Sequence, residues 1–236
     1  MAAVLASEPV QVDAERQARK GVPEIVYAAG KPPLLTLQAV RALLERTRSG
    51  RVLVSRASAE TQALLHQELV GLRVTPSGAT VLVVRVDAAP PTQTGAVIGL
   101  LTAGASDAPA ADEAAFVAAE MGCRVVRADD VGVAGLHRLE APLKRIREEQ
   151  ADAIIVVAGM DGALPSVVSG LVDVPVIGLP TSTGYGLGGG GVAALLSMLQ
   201  TCAPGLVVVN IDNGVGAGAT AALFANRVAA ARRQSP

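Results

Sequence analysis

Five short apolar runs, at 96–103, 124–127, 153–158, 175–179 and 206–210, organise the C-terminal part of this 236-residue chain. Each is followed by a segment with apolar residues at helical spacing, at 110–121, 136–150, 164–171, 192–201 and 217–232. Apart from the arginines that bound 124–127 and the Asn that closes 206–210, the runs are mainly apolar rather than alternating with polar residues. Strands of that kind, separated by helices, predict a parallel, doubly wound sheet covered on both faces. Half of the chain is hydrophobic, but only 2% is aromatic and there is no Trp. The core must therefore be Ala, Val, Leu and Ile, which suits closely packed α/β layers.

The N-terminal block is smaller. A frayed or helical lead-in is expected over 1–18, a strand at 24–30, and a helix over 34–48 that stops at Gly50. A strand at 51–55, a helix at 60–70 and short strands at 73–75 and 80–86 complete a small α/β domain. The run DAAPPTQTG (87–95) has the composition of a linker. The expected organisation is a small N-terminal domain with its linker over 1–90 and a larger domain over 91–236.

The charge balance, 20 basic against 21 acidic residues, argues against general nucleic-acid binding. No apolar run reaches the roughly 18 residues that span a bilayer. Residues 1–12 lack the basic start and the apolar length of a signal peptide. A cytoplasmic protein is expected, and its near-neutral, Ala- and Val-rich surface suits a homo-oligomer. Of the two cysteines, Cys123 lies at the start of a strand in MGCRVV and is expected to be buried, whereas Cys202 lies in a Gly/Pro-rich setting. No disulfide is expected between them.

In doubly wound sheets ligands bind beyond the carboxyl ends of the strands, and the candidate residues cluster after the strand patterns. Ser106 and Asp107, in TAGASD (102–107), either present backbone N–H groups to an anion or simply cap a helix. The next such segment, DDVGVAGLHRL (129–139), brings His137 and Arg138 to a helix start, where the histidine is an acid/base group or a surface residue. Gly159 and Asp161 follow the third strand; Asp161 can take a proton, hold a ribose hydroxyl, or serve only as a turn aspartate. The run PTSTGYGLGGGG (180–191) contains Ser182 and Gly184. It is neither a Walker A loop nor a dinucleotide fingerprint, and reads as a phosphate or ring contact or as a lid without a ligand. Cys202 closes a helix pattern before Ala-Pro-Gly. It is a nucleophile or a buried small hydrophobe, and the negative end of a helix does not help to form a thiolate there. No metal-ligand cluster is apparent.

Taken together, these segments resemble a known family. The large domain resembles the PurE-type carboxyaminoimidazole ribonucleotide mutases, whose domain is flavodoxin-like. The closer likeness is to LarB, the carboxylase/hydrolase of nickel-pincer nucleotide biosynthesis. It is carried by TAGASD, DDVGVAGLHRL, AGMDGALPSVVSGLVDVPV (158–176), PTSTGYG (180–186) and CAPGLVVVNIDNGVGAG (202–218), and in the small domain by GVPEIVYAAGK (21–31) and VLVSR (52–56). The likeness covers nearly the whole chain. PurE-type enzymes carry a second histidine before Leu-Pro after the third strand, where this chain has Ala163. The LarB pattern commonly has Glu in place of Asp161, and Thr-Pro-Glu after Lys31 where this chain has Pro-Pro.

The resemblance implies carboxylation of nicotinic acid adenine dinucleotide at pyridinium C5 and hydrolysis of its phosphoanhydride, giving pyridinium-3,5-biscarboxylate mononucleotide and AMP. It implies that Cys202 is the nucleophile, that Asp161 takes the C5 proton or orients the cysteine, and that Ser106 and Asp107 contact ribose or phosphate. It further implies that Arg138 neutralises a phosphate or carboxylate and that His137 is an acid/base candidate. Gly159, Ser182 and Gly184 would line the substrate, and Lys31 and Arg56 are the small domain's anion contacts. CO2 or bicarbonate as co-substrate, Mg2+ on the substrate phosphates and a PurE-like octamer come with it. The alternative is a PurE-like carboxylase or mutase acting on an aminoimidazole ribonucleotide.

Overall fold

A computed structural model of the chain describes residues 10–234. The chain divides into two compact units at Pro90 and Pro91.

In the first unit α1 (Arg16–Lys20) is a short helix closed by Gly21 in the left-handed conformation; the rest of the expected lead-in, residues 1–9, lies outside the described residues. Then follow β1 (Ile25–Tyr27), α2 (Pro33–Arg46), β2 (Arg51–Ser55), α3 (Ala59–Glu68), β3 (Leu72–Ser77) and β4 (Thr80–Arg85). The sheet order is β1-β2-β4-β3, with β1 and β2 parallel and β4 antiparallel to both of its neighbours. Helix α2 begins on Pro33, whose missing N–H costs nothing in a first turn, and buries Leu37, Val40, Leu43 and Leu44 on one face. These pack with Val26, Val52, Val54, Leu65, Val81 and Val83 in a core of their own.

The second unit contains β5 (Val97–Thr102), α4 (Ala108–Glu120), β6 (Arg124–Ala128), α5 (His137–Glu148), β7 (Ala153–Ala158), α6 (Leu164–Ser169), β8 (Val176–Pro180), α7 (Val192–Leu199), β9 (Leu206–Val208) and α8 (Gly214–Gln234). All its strands are parallel, in the order β6-β5-β7-β8-β9. This is the flavodoxin-like doubly wound order expected from the alternation of apolar runs and helices. Every residue of β5, β7 and β8 is buried. Each buried Ile, Leu or Val side chain there contributes about 1.5–3 kcal/mol relative to exposure.

The helices cover the sheet in two ways. Helix α5 turns Leu139, Leu143 and Ile146 inward and its charges outward. Helices α4 and α8 instead meet through small residues, Ala111, Ala114 and Ala118 against Ala217, Gly218, Ala221 and Ala225. A Cβ on Gly218 would stand 2.4 Å from the Ala114 carbonyl oxygen, so the glycine sets how close the helices come. Helix α8 starts three residues earlier than its apolar spacing predicts. Asn213 Oδ1 accepts the Gly216 N–H at 2.8 Å and Glu113 Oε2 accepts the Val215 N–H at 3.1 Å, so the first turn is held by side chains rather than by burial.

Candidate active site

The carboxyl ends of β5, β6, β7 and β8, and the loop after β9, form one edge of the second sheet. The turns there are tied to one another by side chains. Asp107 is buried, at 3% exposed, and both of its oxygens are engaged: Oδ2 accepts the Gly104 N–H at 2.9 Å and Oδ1 accepts the Thr181 hydroxyl at 2.7 Å. Asp107 thus links the turn after β5 to the turn after β8. The exposed Ser106 stands beside it, and its carbonyl accepts the Thr183 hydroxyl at 3.4 Å. Thr102, also buried, donates to Asp129 Oδ1 and accepts the Asp130 N–H, both at 3.1 Å, which fixes the loop after β6.

Arg138 and His137 occupy the first turn of α5, both exposed. Arg138 Nη1 lies 2.8 Å from Asp130 Oδ2, so it is already paired on the surface, where an incoming anion competes with a solvent-screened partner. Asp161 is exposed at the tip of the turn after β7 and accepts only a long 3.4 Å bond from the Ala163 N–H among its described bonds. Its carboxylate therefore faces solvent at the sheet edge, available to a ligand. Gly159 is buried in the same turn, and a Cβ there would fall 2.3 Å from the Thr183 carbonyl oxygen. The need for glycine at that position arises inside the chain, from the contact of this turn with the next. Met160 N–H donates to that same Thr183 carbonyl at 3.0 Å. Ser182 and Gly184 are exposed on the loop after β8, which Asp212 Oδ1 anchors by accepting the Ser182 N–H at 2.8 Å.

Cys202 lies elsewhere. It follows α7 and precedes β9, so it sits at the amino edge of the sheet, near the carbonyl of Pro204, which accepts the Ser169 hydroxyl at 2.9 Å. From Val176 to Pro180, β8 spans about 13 Å at the rise of an extended strand, and Cys202 is separated from the Asp161 edge by at least that strand's length. The thiol is exposed, which removes the reading of a buried small hydrophobe. Cys123 is the buried one, as expected, and both cysteines are free. Burial first, and then the charge of Asp152, push the Cys123 thiol up to about 11.

Lys31 and Arg56 belong to the first unit, where they follow the parallel strands β1 and β2. The Arg56 guanidinium stands 5.5 Å from the centre of the Tyr27 ring, and Arg56 Nη1 is 3.5 Å from the Tyr27 hydroxyl. Both basic residues thus lie at one edge of the first sheet, exposed or half-buried.

Residues 97–235 match the family model of AIR carboxylase. The chain belongs to the AIR carboxylase family. Residues 6–86 match the model of the LarB/PurE-like N-terminal domain. An uncharacterised protein of Methanocaldococcus jannaschii is 43% identical over 225 residues, covering 92% of this chain and 84% of its own length. The N5-carboxyaminoimidazole ribonucleotide mutase of the same organism is 30% identical over 140 residues, which is 59% of this chain and 82% of the mutase.

For this member of the AIR carboxylase family the carboxyl edge is the candidate site by topology and by chemistry. Ser106, Asp107, Asp161, Ser182 and Gly184 come together there, with His137 and Arg138 in the first turn of the adjoining α5; Cys202 does not share that edge within the chain, and Lys31 and Arg56 belong to the first unit. Thr181, Thr183, Thr102 and Asp212, which hold the turns in place, are not among the residues that sequence reasoning selects. Their partners are 27 to 77 positions away in sequence, and the one local signal is the placing of Thr102 at the end of one strand and of Thr181 immediately after another. Two concavities lie among the helices of the second unit. One, of about 840 Å3, lies between the ends of α5, α6 and α8 beside Asp152 and Arg232; the other, of about 570 Å3, is an apolar groove between α5 and α6.

Proposed function

We propose that the protein carboxylates the pyridinium ring of nicotinic acid adenine dinucleotide at C5 and hydrolyses its phosphoanhydride, producing pyridinium-3,5-biscarboxylate mononucleotide and AMP for a nickel-pincer cofactor. The observation that carries this reading is the pairing of the two matched domains: a LarB/PurE-like N-terminal domain in front of an AIR carboxylase domain. The exposed thiol of Cys202 and the open carboxylate of Asp161 supply the two groups that the chemistry asks for.

A pyridinium ring is electron-poor, and its C5 does not attack CO2. In the proposed route the Cys202 thiolate adds to C6, forming a C–S bond and moving the ring electrons into an enamine. The enamine C5 attacks the carbon of CO2. Asp161 then takes the C5 proton, the electron pair restores aromaticity, and the C–S bond breaks to return the thiolate. Water attacks the phosphoanhydride and AMP departs. Ser106 and Arg138 contact ribose, phosphate or carboxylate, Ser182 and Gly184 line the substrate, and Lys31 and Arg56 add anion contacts from the first domain. Asp107, whose carboxylate is already engaged, acts through the turn it holds, and His137 remains the acid/base candidate next to Arg138.

Cys202 and Asp161 lie at opposite edges of one sheet, so in this reading they come from different copies of the chain. Helix α7 supports the assembly: Val192, Leu196 and Leu199 form an exposed apolar stripe that leads to Cys202. A homo-oligomer, octameric in the LarB and PurE pattern, applies that stripe and its thiol to a neighbour. Among the described residues no group of three or more His, Cys, Asp or Glu comes together. The place of Mg2+ in the proposal is on the substrate phosphates.

The test is product mass spectrometry with nicotinic acid adenine dinucleotide, bicarbonate and Mg2+, on wild type beside Cys202→Ala. AMP and a dicarboxylated mononucleotide from the wild type, and no dicarboxylated product from the variant, are expected. The second reading, a mutase acting on an aminoimidazole ribonucleotide, is favoured by the mutase match. It needs no thiol, so it requires Cys202→Ala to remain active on that ribonucleotide.

A further inference from the structure

We infer that Tyr185 is a substrate-contacting residue, closing as a ring platform over the positively charged pyridinium on a glycine-hinged arc; this deepens the reading above and rests on it. The chain has two Tyr, two Phe and no Trp; Tyr27 and Phe224 are exposed by 47% and 45%, and Tyr185 is the most exposed of the four. Tyr185 is 82% exposed, and Leu187, two residues on, is fully exposed. They are the only side chains larger than hydrogen on the arc 184–191; all its other positions are glycine.

The arc is held at both ends and open between them. At its start the Thr181 hydroxyl bonds Asp107, the Ser182 N–H bonds Asp212 and the Thr183 carbonyl accepts from Met160. At its end Gly191 is pressed against Ile211 and the Thr181 carbonyl, where a Cβ would come within 2.7 Å of either. Gly186, Gly189 and Gly190 instead have nothing within 4 Å of where a Cβ would be. Glycines flank Tyr185 on both sides, at φ 142° for Gly184 and 77° for Gly186, values that other residues rarely adopt. These are hinge conditions: fixed ends, unpacked middle, and pivots next to the aromatic ring.

Position selects which ring of the substrate it meets. The Met160–Thr183 bond joins the arc to the turn that carries Asp161, the carboxylate assigned to the pyridinium C5 proton. Tyr185 is only two residues beyond Thr183, so its ring reaches the pyridinium side of the site. The face of a phenol ring is negative and attracts a cation above it. An N-substituted pyridinium carries that charge in the ground state and loses it when the thiolate adds. The contact therefore favours binding of the charged ring and does not persist into the adduct.

The kinetic test compares wild type, Tyr185→Phe and Tyr185→Leu on nicotinic acid adenine dinucleotide. Tyr185→Leu is expected to raise KM roughly threefold to thirtyfold, with kcat held or increased, the range that a cation–π contact spans. Tyr185→Phe, which keeps the ring face, is expected to stay close to wild type. If wild type turns over and Tyr185→Leu keeps its KM, this inference falls and the substrate reading stands. If wild type makes no dicarboxylated product, both fall.

Binding is read separately by tyrosine fluorescence. In Tyr27→Phe the only tyrosine left is Tyr185, and free N-acetyltyrosinamide titrated with the same nucleotides is the control for absorption by the ligand. Quenching by nicotinic acid mononucleotide and not by AMP is expected. Quenching by AMP alone would assign Tyr185 to the adenine end and overturn the inference. Emission that changes on dilution of the protein but not with either nucleotide would show the ring covered by a second copy, and would overturn it as well.

Discussion

The Thr181 hydroxyl donates to the buried carboxylate of Asp107 at 2.7 Å, joining two turns that are 74 residues apart in sequence. A buried carboxylate that loses a donor keeps its desolvation cost. Thr181→Val, similar in shape but without the hydroxyl, is expected to destabilise the protein by about 1.5–3 kcal/mol. Urea denaturation of the two proteins measures it, and a difference within 0.5 kcal/mol, about the ordinary surface effect, would mean that the bond contributes little.

The two cysteines should separate in reactivity. At pH 8 the folded protein is expected to take one alkyl group, on Cys202, whereas Cys123, buried and pushed up to about 11, is alkylated only after unfolding. Peptide mapping by mass spectrometry locates the adduct. The same shift has a sign for stability. The unfolded thiol titrates near 9.0 and the folded one near 11, so between these values the unfolded chain has lost a proton that the folded chain keeps. This group's contribution is therefore constant below pH 9 and is lost as the pH rises toward 11, and Cys123→Ala should flatten that part of the stability profile.

If Cys202 and Asp161 act from different copies, two inactive variants should complement each other. Cys202→Ala and Asp161→Asn are each expected to make no dicarboxylated product. Unfolded together and reassembled, they should regain up to about a quarter of wild-type activity, the share of sites that receive both intact residues from random pairing in a symmetric assembly. Mixed oligomers without activity would place the two groups in one chain or remove one of them from the reaction.

The α4–α8 contact should tolerate no added volume at Gly218. With the Ala114 carbonyl oxygen 2.4 Å from a prospective Cβ, Gly218→Val is expected to cost about 1–3 kcal/mol through displacement of the helices. A thermal melt shows the loss, and Ala217→Gly, which only removes volume nearby, gives a comparison for the helix-propensity component.

Much of the fold is legible in the chain because its signals are local. The apolar runs that become β5, β7 and β8 are buried on both faces, and they read as strands for that reason. Strand β9 is less legible: the run 206–210 continues in apolar composition, but only Leu206–Val208 form the edge strand. The chain then turns to carry Asn210 and Asp212 to the carboxyl edge. The start of α8 is not legible because Glu113 and Asn213 hold its first turn through hydrogen bonds that apolar spacing does not encode. Candidate residues in the sheet-edge turns were found because topology sends such turns to one place. The geometry of Cys202 was not legible: its motif reads as chemistry, but only the direction of α7 shows that it leaves the site by the opposite edge.

That direction has a consequence for a chain that has just been made. Alone, it carries its thiol at one end of a strand and its carboxylate at the other, and under the proposed chemistry neither can complete a turnover. The catalyst would come into being only when copies meet, so specific activity should fall with dilution along the same curve as assembly. A newly synthesised or dissociated chain would be chemically quiet toward the dinucleotide, and the number of chains present would switch the reaction on.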